Sequence, residues 1–273
     1  MLYRRGIVGK PLMLNAPLPQ WRRVWFGLLP IIVLIAAWWL FTRGEVEERT
    51  ISPQILPSPY EVVRSVPDLV MRRSLFSNAL VSLRRVGISY ALAVAVTLPL
   101  GIAMGSSRSC KAMFSPVTTA SGYIPIATLV PLTMSWFGTG EMQKVFFLAM
   151  AFAIYLLPMI FHAIETVPDV YSRTAMTLGA NRWQVIWRVL IPVAMPEIYG
   201  GMRLAFGVGW TYLVLAEVVV LNDGLGMLVA QSQRRGPREH IYLVILTIAV
   251  IAWIADLIWT QVGKWLFPYK AQR

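Results

Sequence analysis

The chain has 273 residues, of which 57% are hydrophobic and only 14% charged, with mean hydropathy +0.60. Soluble domains carry about 25% charged residues, so composition excludes an ordinary soluble globular protein. The net charge is +12, but Lys and Arg are scattered between long apolar runs and form no stripe. That argues against a nucleic-acid partner and for cationic loops against lipid headgroups.

A helix crosses a bilayer with about 20 apolar residues. Runs free of Asp, Glu, Lys and Arg predict span one at 24–42, span two at 86–107, span three at 112–140 and span four at 145–164. Span five, 198–221, carries Arg203 and Glu217; span six, 241–262, carries Asp256. The expected fold is therefore all-α, with about six transmembrane helices. Span one is too long for a signal core, and Trp38, Trp39, Leu40 and Phe41 offer no small-residue cleavage site. It reads as a retained anchor. The expected organisation is an N-terminal segment 1–23, the anchor 24–42, an outer segment 43–85, a core domain 86–263 and a tail 264–273.

Within 43–85, the dipeptide Ser52-Pro53, then Pro57, Ser58, Pro59 and Pro67, predict extended backbone with turns. A short amphipathic helix is expected after Pro67, with Leu69, Val70, Leu75 and Phe76 on one side. With both termini on the cytoplasmic side, 13 cationic residues face inward, 14 with Arg203, and 11 lie outside. The positive-inside bias is weak. Acids lean outward at Glu45, Glu47 and Glu48.

Spans four and five are separated by a loop of mixed polarity, 168–196. Pro168 and Asp169 suit a helix start, Gly179 a helix stop and Asn181 the cap of a second helix. Trp183, Ile186, Trp187 and Leu190 follow at three- and four-residue spacing, and Pro192 is expected to end that helix. Two short helices meeting at a glycine make a knob standing out of the membrane. By pattern alone it is either a docking knob or a loop lying on the bilayer.

Gly179, followed after nine residues by Val189, Leu190, Ile191 and Pro192, resembles the signature loop of ABC-importer permeases. That loop reads Glu-Ala-Ala, three residues, Gly, nine residues, Ile, one residue, Leu-Pro. The run from Thr177 through Gly179, Ala180, Asn181 and Trp183 to Gln184 is similar to the nitrate/sulfonate/taurine/bicarbonate branch of those permeases. So are Pro196 to Ile198, Gly201 to Leu204, Trp136 to Glu141, Leu83 to Val86, and Leu56 to Pro59. The likeness covers residues 50–268. One departure stands out: Arg173 occupies the motif's Glu position and Thr174 its first Ala, so only Ala175 matches.

The resemblance implies a half-transporter with both termini cytoplasmic, in a bacterial inner membrane. Two permease copies would each grip one cytoplasmic ATPase, and an extracytoplasmic binding protein would deliver a small anion such as a sulfonate, taurine, nitrate or bicarbonate. A neutral heterocycle such as a pyrimidine vitamin precursor is the alternative cargo, and a self-contained secondary transporter the remoter alternative. It further implies a coupling role for Ala175, Gly179, Ala180, Trp183, Ile186, Trp187, Leu190 and Pro192. ATP and magnesium would sit on the partner ATPase. None of the five lysines lies in a G-x-x-x-x-G-K-[ST] loop, so this chain is expected to bind no cofactor. It is expected to be no enzyme: H-E-x-x-H, G-x-S-x-G and cysteine pairs are missing from its sequence. His162 and His240 fall on opposite sides of the membrane, so no metal site is expected.

Polar groups within spans face protein or water rather than lipid. Arg203 and Glu217, 14 residues apart, share a helical face about 21 Å apart and are candidates for the inner exit and outer gate. Tyr123, Pro125 and Thr128 mark an interruption of span three, tolerated only where protein or a water-filled cavity covers it. Asp256 reads as structural, and Asp223 with Gly224 as a turn.

Overall fold

The computed structural model describes residues 19–44, 49, 51–219 and 222–269. Most of the expected N-terminal segment, the acids Glu45, Glu47 and Glu48, the span-five terminus Leu221 and the last tail residues lie outside that set. The described residues are mainly helical, with no strand among them. The chain falls into two compact units, up to Glu61 and from Val62. In the first, α1 (Gln20–Thr42) holds Pro30 mid-helix and, past Arg22 and Arg23, is apolar to its end and long enough to cross a membrane. Beyond it, Arg49 pairs with Glu61 at 2.9 Å. α2 (Pro59–Arg64) follows; its Glu61 carboxyl is held below the usual range, chiefly by the Arg49 hydrogen bond.

The second unit is a bundle. α3 (Val66–Met71) leads through Ser74, at φ 52°, into α4 (Leu75–Ser106). α4 begins 11 residues before the expected span two. The domain edge expected at 85/86 therefore falls inside a helix. Apolar-run counting stopped at Arg84 and Arg85, whereas the helix carries Arg85 into the interior because carboxylates surround it there. The expected amphipathic face is also split: Leu69 and Leu75 are buried, while Phe76 is 73% exposed.

α5 (Arg108–Ser121) and the short turn Ile126–Thr128 leading into α6 (Leu129–Phe137) meet at an 87° bend. Span three is thus a broken pair rather than one rod, so among the described residues five long apolar helices, or six with this pair, are of membrane-crossing length. α7 (Glu141–Glu165) is the central helix: 44% of its most apolar stretch is buried, against 11% for α12 (Arg238–Leu266). Its Phe147, Phe152, Leu156, Ile160 and Ile164 form the middle of the core. α4 packs on it closely through Gly101 and Gly105, where an added Cβ would lie 2.6 Å from Ile160 and 2.7 Å from Ile164. Small residues four apart are how membrane helices approach backbone to backbone.

From α7 the chain passes through α8 (Asp169–Thr177) and α9 (Arg182–Val185), then a π-helical turn, Ile186–Leu190, into α10 (Ile191–Val219). Pro192 does not end this helix, contrary to the expectation. A proline inside a helix lacks its own N–H and crowds the carbonyl four residues back. The π turn, in which Ile191 N–H bonds the Ile186 carbonyl, widens the backbone just ahead of it. The helix then continues, so span five starts at the knob. α11 (Leu225–Arg235), not expected from the sequence, packs its Leu225 and Leu228 with Leu69, Leu75 and Val244.

Candidate functional site

The segment between the end of α7 and the start of α10 stands at one end of the bundle. α8 closes in a Schellman cap: Ala180 N–H bonds the Ala175 carbonyl at 3.0 Å and Gly179 N–H the Met176 carbonyl at 2.9 Å. Gly179 takes φ +89°, and space beside it is open. α9 opens with a capping box: Asn181 Oδ1 accepts from Gln184 N–H at 2.8 Å and Gln184 Oε1 from Asn181 N–H at 2.9 Å. The resulting knob exposes Leu178 (83%), Trp183 (71%) and Trp187 (61%). Ala175, Ala180, Ile186 and Leu190 are half-buried, Leu190 against the bundle core, and Pro192 is exposed. Arg173, at the motif's acidic position, pairs with Asp169 at 3.5 Å on its own helix.

Two cavities among the described residues bear on the candidate residues. One, about 680 Å³, lies beside the knob end of α7, α10 and α12 and is bordered by His162, Glu197, Arg203 and Asp256 among others. Arg203 does not stand alone there. Its Nε and Nη2 donate to Asp256 at 2.5 and 2.6 Å, a bidentate pair with side chains 38% and 47% exposed. Asp256, which showed no partner in the sequence, has one 53 residues away.

The second cavity, about 420 Å³, sits at the α5–α6 break and is bordered by Tyr123, Pro125, Tyr155, Pro158 and Tyr212. Tyr123 is 84% exposed. Thr128 borders neither cavity; its hydroxyl donates to the Pro125 carbonyl at 2.7 Å and so braces the break. Tyr155 and Tyr212, passed over in the sequence, stack with ring centroids 6.2 Å apart and join hydroxyls at 2.9 Å. Two tyrosines 57 residues apart give no local signal.

At the opposite end lies a buried charge network. Arg85, 1% exposed, donates Nη1 to Glu217 Oε1 at 2.7 Å, Nε to Glu141 Oε2 at 2.8 Å and Nη1 to the Asp223 carbonyl at 3.1 Å; Nη2 reaches Glu141 and Asp223. Glu217 is fully buried, within 2.9 Å of Ser82 Oγ, and accepts Gly226 N–H at 2.8 Å. Lys144 Nζ, also fully buried, lies 3.6 Å from Glu141 and from Asp223. Burial works to raise the Asp223 carboxyl, but the Arg85 hydrogen bond and charge, then Lys144, hold it below the usual carboxylate range. Gly224 permits the turn with φ +102° where a Cβ would lie 2.4 Å from the Glu217 carboxyl. Glu217 borders neither cavity; it and Arg203 lie on the same helix, 14 residues apart, each with its own partner, Arg85 for Glu217 and Asp256 for Arg203.

Residues 97–269 match the family described as binding-protein-dependent transport system inner membrane component. The taurine transport system permease protein TauC of Escherichia coli (strain K12) is 30% identical over 259 residues, covering 93% of each chain. The nitrate import permease protein NrtB of Synechocystis sp. is 23% identical over 238 residues, covering 83% of each. Among solved structures, an inward-facing MetNI methionine ABC transporter aligns with TM-score 0.64 at 18% identity, over 71% of this chain and 96% of that one. This likeness shows the fold. The chain belongs to the binding-protein-dependent inner membrane component family and is a multi-pass ABC-importer permease.

Proposed function

We propose that this permease forms, with a second copy of itself, the membrane path of an importer for a small solute with an oxyanion head group, a sulfonate such as taurine or a small anion such as nitrate. The knob between α7 and α10 docks into a cytoplasmic ATPase, which binds ATP and magnesium; both termini face the cytoplasm. A binding protein on the other side of the bacterial inner membrane delivers the cargo. Non-catalytic in itself, the chain converts the ATPase's closure into movement of α7 and α10.

The observation carrying this reading is the knob. A solvated loop has no reason to expose Leu178, Trp183 and Trp187 together on a backbone fixed by a Schellman cap and a capping box. Exposed aromatic and apolar anchors on rigid backbone are what a partner groove takes. π-Helical turns are frequent at functional sites, and the one here joins the knob to α10 without a hinge loop. Support for the cargo comes from the taurine relative across nearly the full chain.

Reconstituted with its ATPase and binding protein, the wild type should import taurine only when ATP is supplied. The Trp183→Ala/Trp187→Ala variant alters exposed side chains, so it should fold normally but lose most of its ATPase association and uptake. Full association and uptake in that variant would refute the coupling role.

A further inference from the structure

We propose that the Tyr155–Tyr212 hydroxyl pair is a transit station for the oxyanion head group of the cargo, an uncharged waist near the middle of the membrane. The assignment rests on the anion reading above. Tyr155 lies 14 residues from the start of α7 and ten from its end, about 21 and 15 Å along the axis. It and Tyr212 are both half-buried beside the 420 Å³ cavity. When two phenol hydroxyls bond each other, one proton is used between them and the second remains to donate. Among the described residues neither hydroxyl has another partner. A half-buried donor is left for whatever occupies the cavity.

The rest of that lining is Ile124, Pro125, Ile126, Ile154 and Pro158 with Gly122 and Tyr123, and no Lys, Arg, Asp or Glu is among the described lining residues. An apolar pocket with a few convergent polar groups is how small ligands are held.

The cations near the route are already engaged. Arg203 is tied bidentate to Asp256, while Arg85 and Lys144 are buried against three carboxylates. An oxyanion entering the waist therefore meets a neutral donor. Transport needs binding strong enough for entry and weak enough for release, and a neutral phenol meets that better than a bare cation in low dielectric. Pro158 borders both cavities, so the station abuts the chamber holding the Arg203–Asp256 pair.

Tyr155→Phe, Tyr212→Phe and the double variant delete hydroxyls while keeping rings and stacking. Each is to be assembled with the ATPase and binding protein in proteoliposomes and assayed with taurine (a zwitterion with a sulfonate head group), methanesulfonate, nitrate and an uncharged pyrimidine. The double variant should keep wild-type thermal stability and ATPase association yet lose uptake about tenfold, as expected for one hydrogen bond to a charged group. Each single variant should lose less, since one donor survives. A wild type that imports one of the three oxyanion-bearing solutes, with a double variant matching it, would overturn the station alone. A wild type that imports only uncharged solutes would overturn the anion reading and the head group assigned here together.

Discussion

Arg85 and Arg203 both sit on membrane-spanning helices, and the protein treats them oppositely. Arg85 is 1% exposed and meets three carboxylates and a backbone carbonyl drawn from α7, α10 and the α10–α11 turn. Arg203 is 38% exposed at a cavity and meets one carboxylate. Buried ion pairs lose much of their attraction to desolvation and matter most when one partner is removed. Exposed pairs are screened and worth little. The first arginine therefore belongs to the architecture: it fastens α4, α7 and α10 at the end away from the knob. The second can be exchanged, opened or bypassed at modest cost, as a group bordering a route requires.

The largest effect should come from breaking the first arrangement. Arg85→Met leaves Glu217 buried without its cation, and about 3–5 kcal/mol of stability should be lost, read as a sharp fall in thermal unfolding temperature in detergent. Arg85→Met/Glu217→Met removes both buried charges and should recover much of that loss, while Glu141 and Asp223, each partly exposed, are rehydrated. A double variant as unstable as the single would mean that the remaining acids, not Glu217, need Arg85. Next in size is Gly224→Ala. It combines positive φ with a Cβ 2.4 Å from the Glu217 carboxyl, so it should cost about 2 kcal/mol or more. Unchanged unfolding temperature would show that the turn is not fixed by Glu217.

These two regions also differ in how far the sequence revealed them. The knob was readable because its signals are local: Pro168, Gly179 and Asn181 act on residues three to five positions away. Its end was misjudged at Pro192, since a π turn that accommodates proline leaves no compositional mark. The charge network was illegible because Ser82 and Arg85 meet Glu217 across 135 and 132 residues. Counting apolar runs treats each such charge as a span boundary, so α4 was cut short at Arg85. The same rule trimmed α7 at Lys144. Helical geometry placed Arg203 and Glu217 on one face but says nothing of which other helix supplies a partner; Asp256 did for one and Arg85 for the other.

The smallest effect should come from the second arginine. Arg203→Gln and Asp256→Asn should each shift unfolding by less than about 1 kcal/mol, because both side chains are more than a third exposed at the cavity. Their double variant should reveal a coupling of similar small size in a thermodynamic cycle. Transport separates the two residues where stability does not. Asp256→Asn frees the guanidinium beside the cavity and should raise retention of methanesulfonate, slowing uptake at saturating substrate; Arg203→Gln leaves an unpaired carboxylate that repels this anion and should slow uptake more. Equal and normal uptake in both variants, with a coupling above about 2 kcal/mol, would make the pair a structural clamp like Arg85 and erase the distinction between the two ends of the bundle.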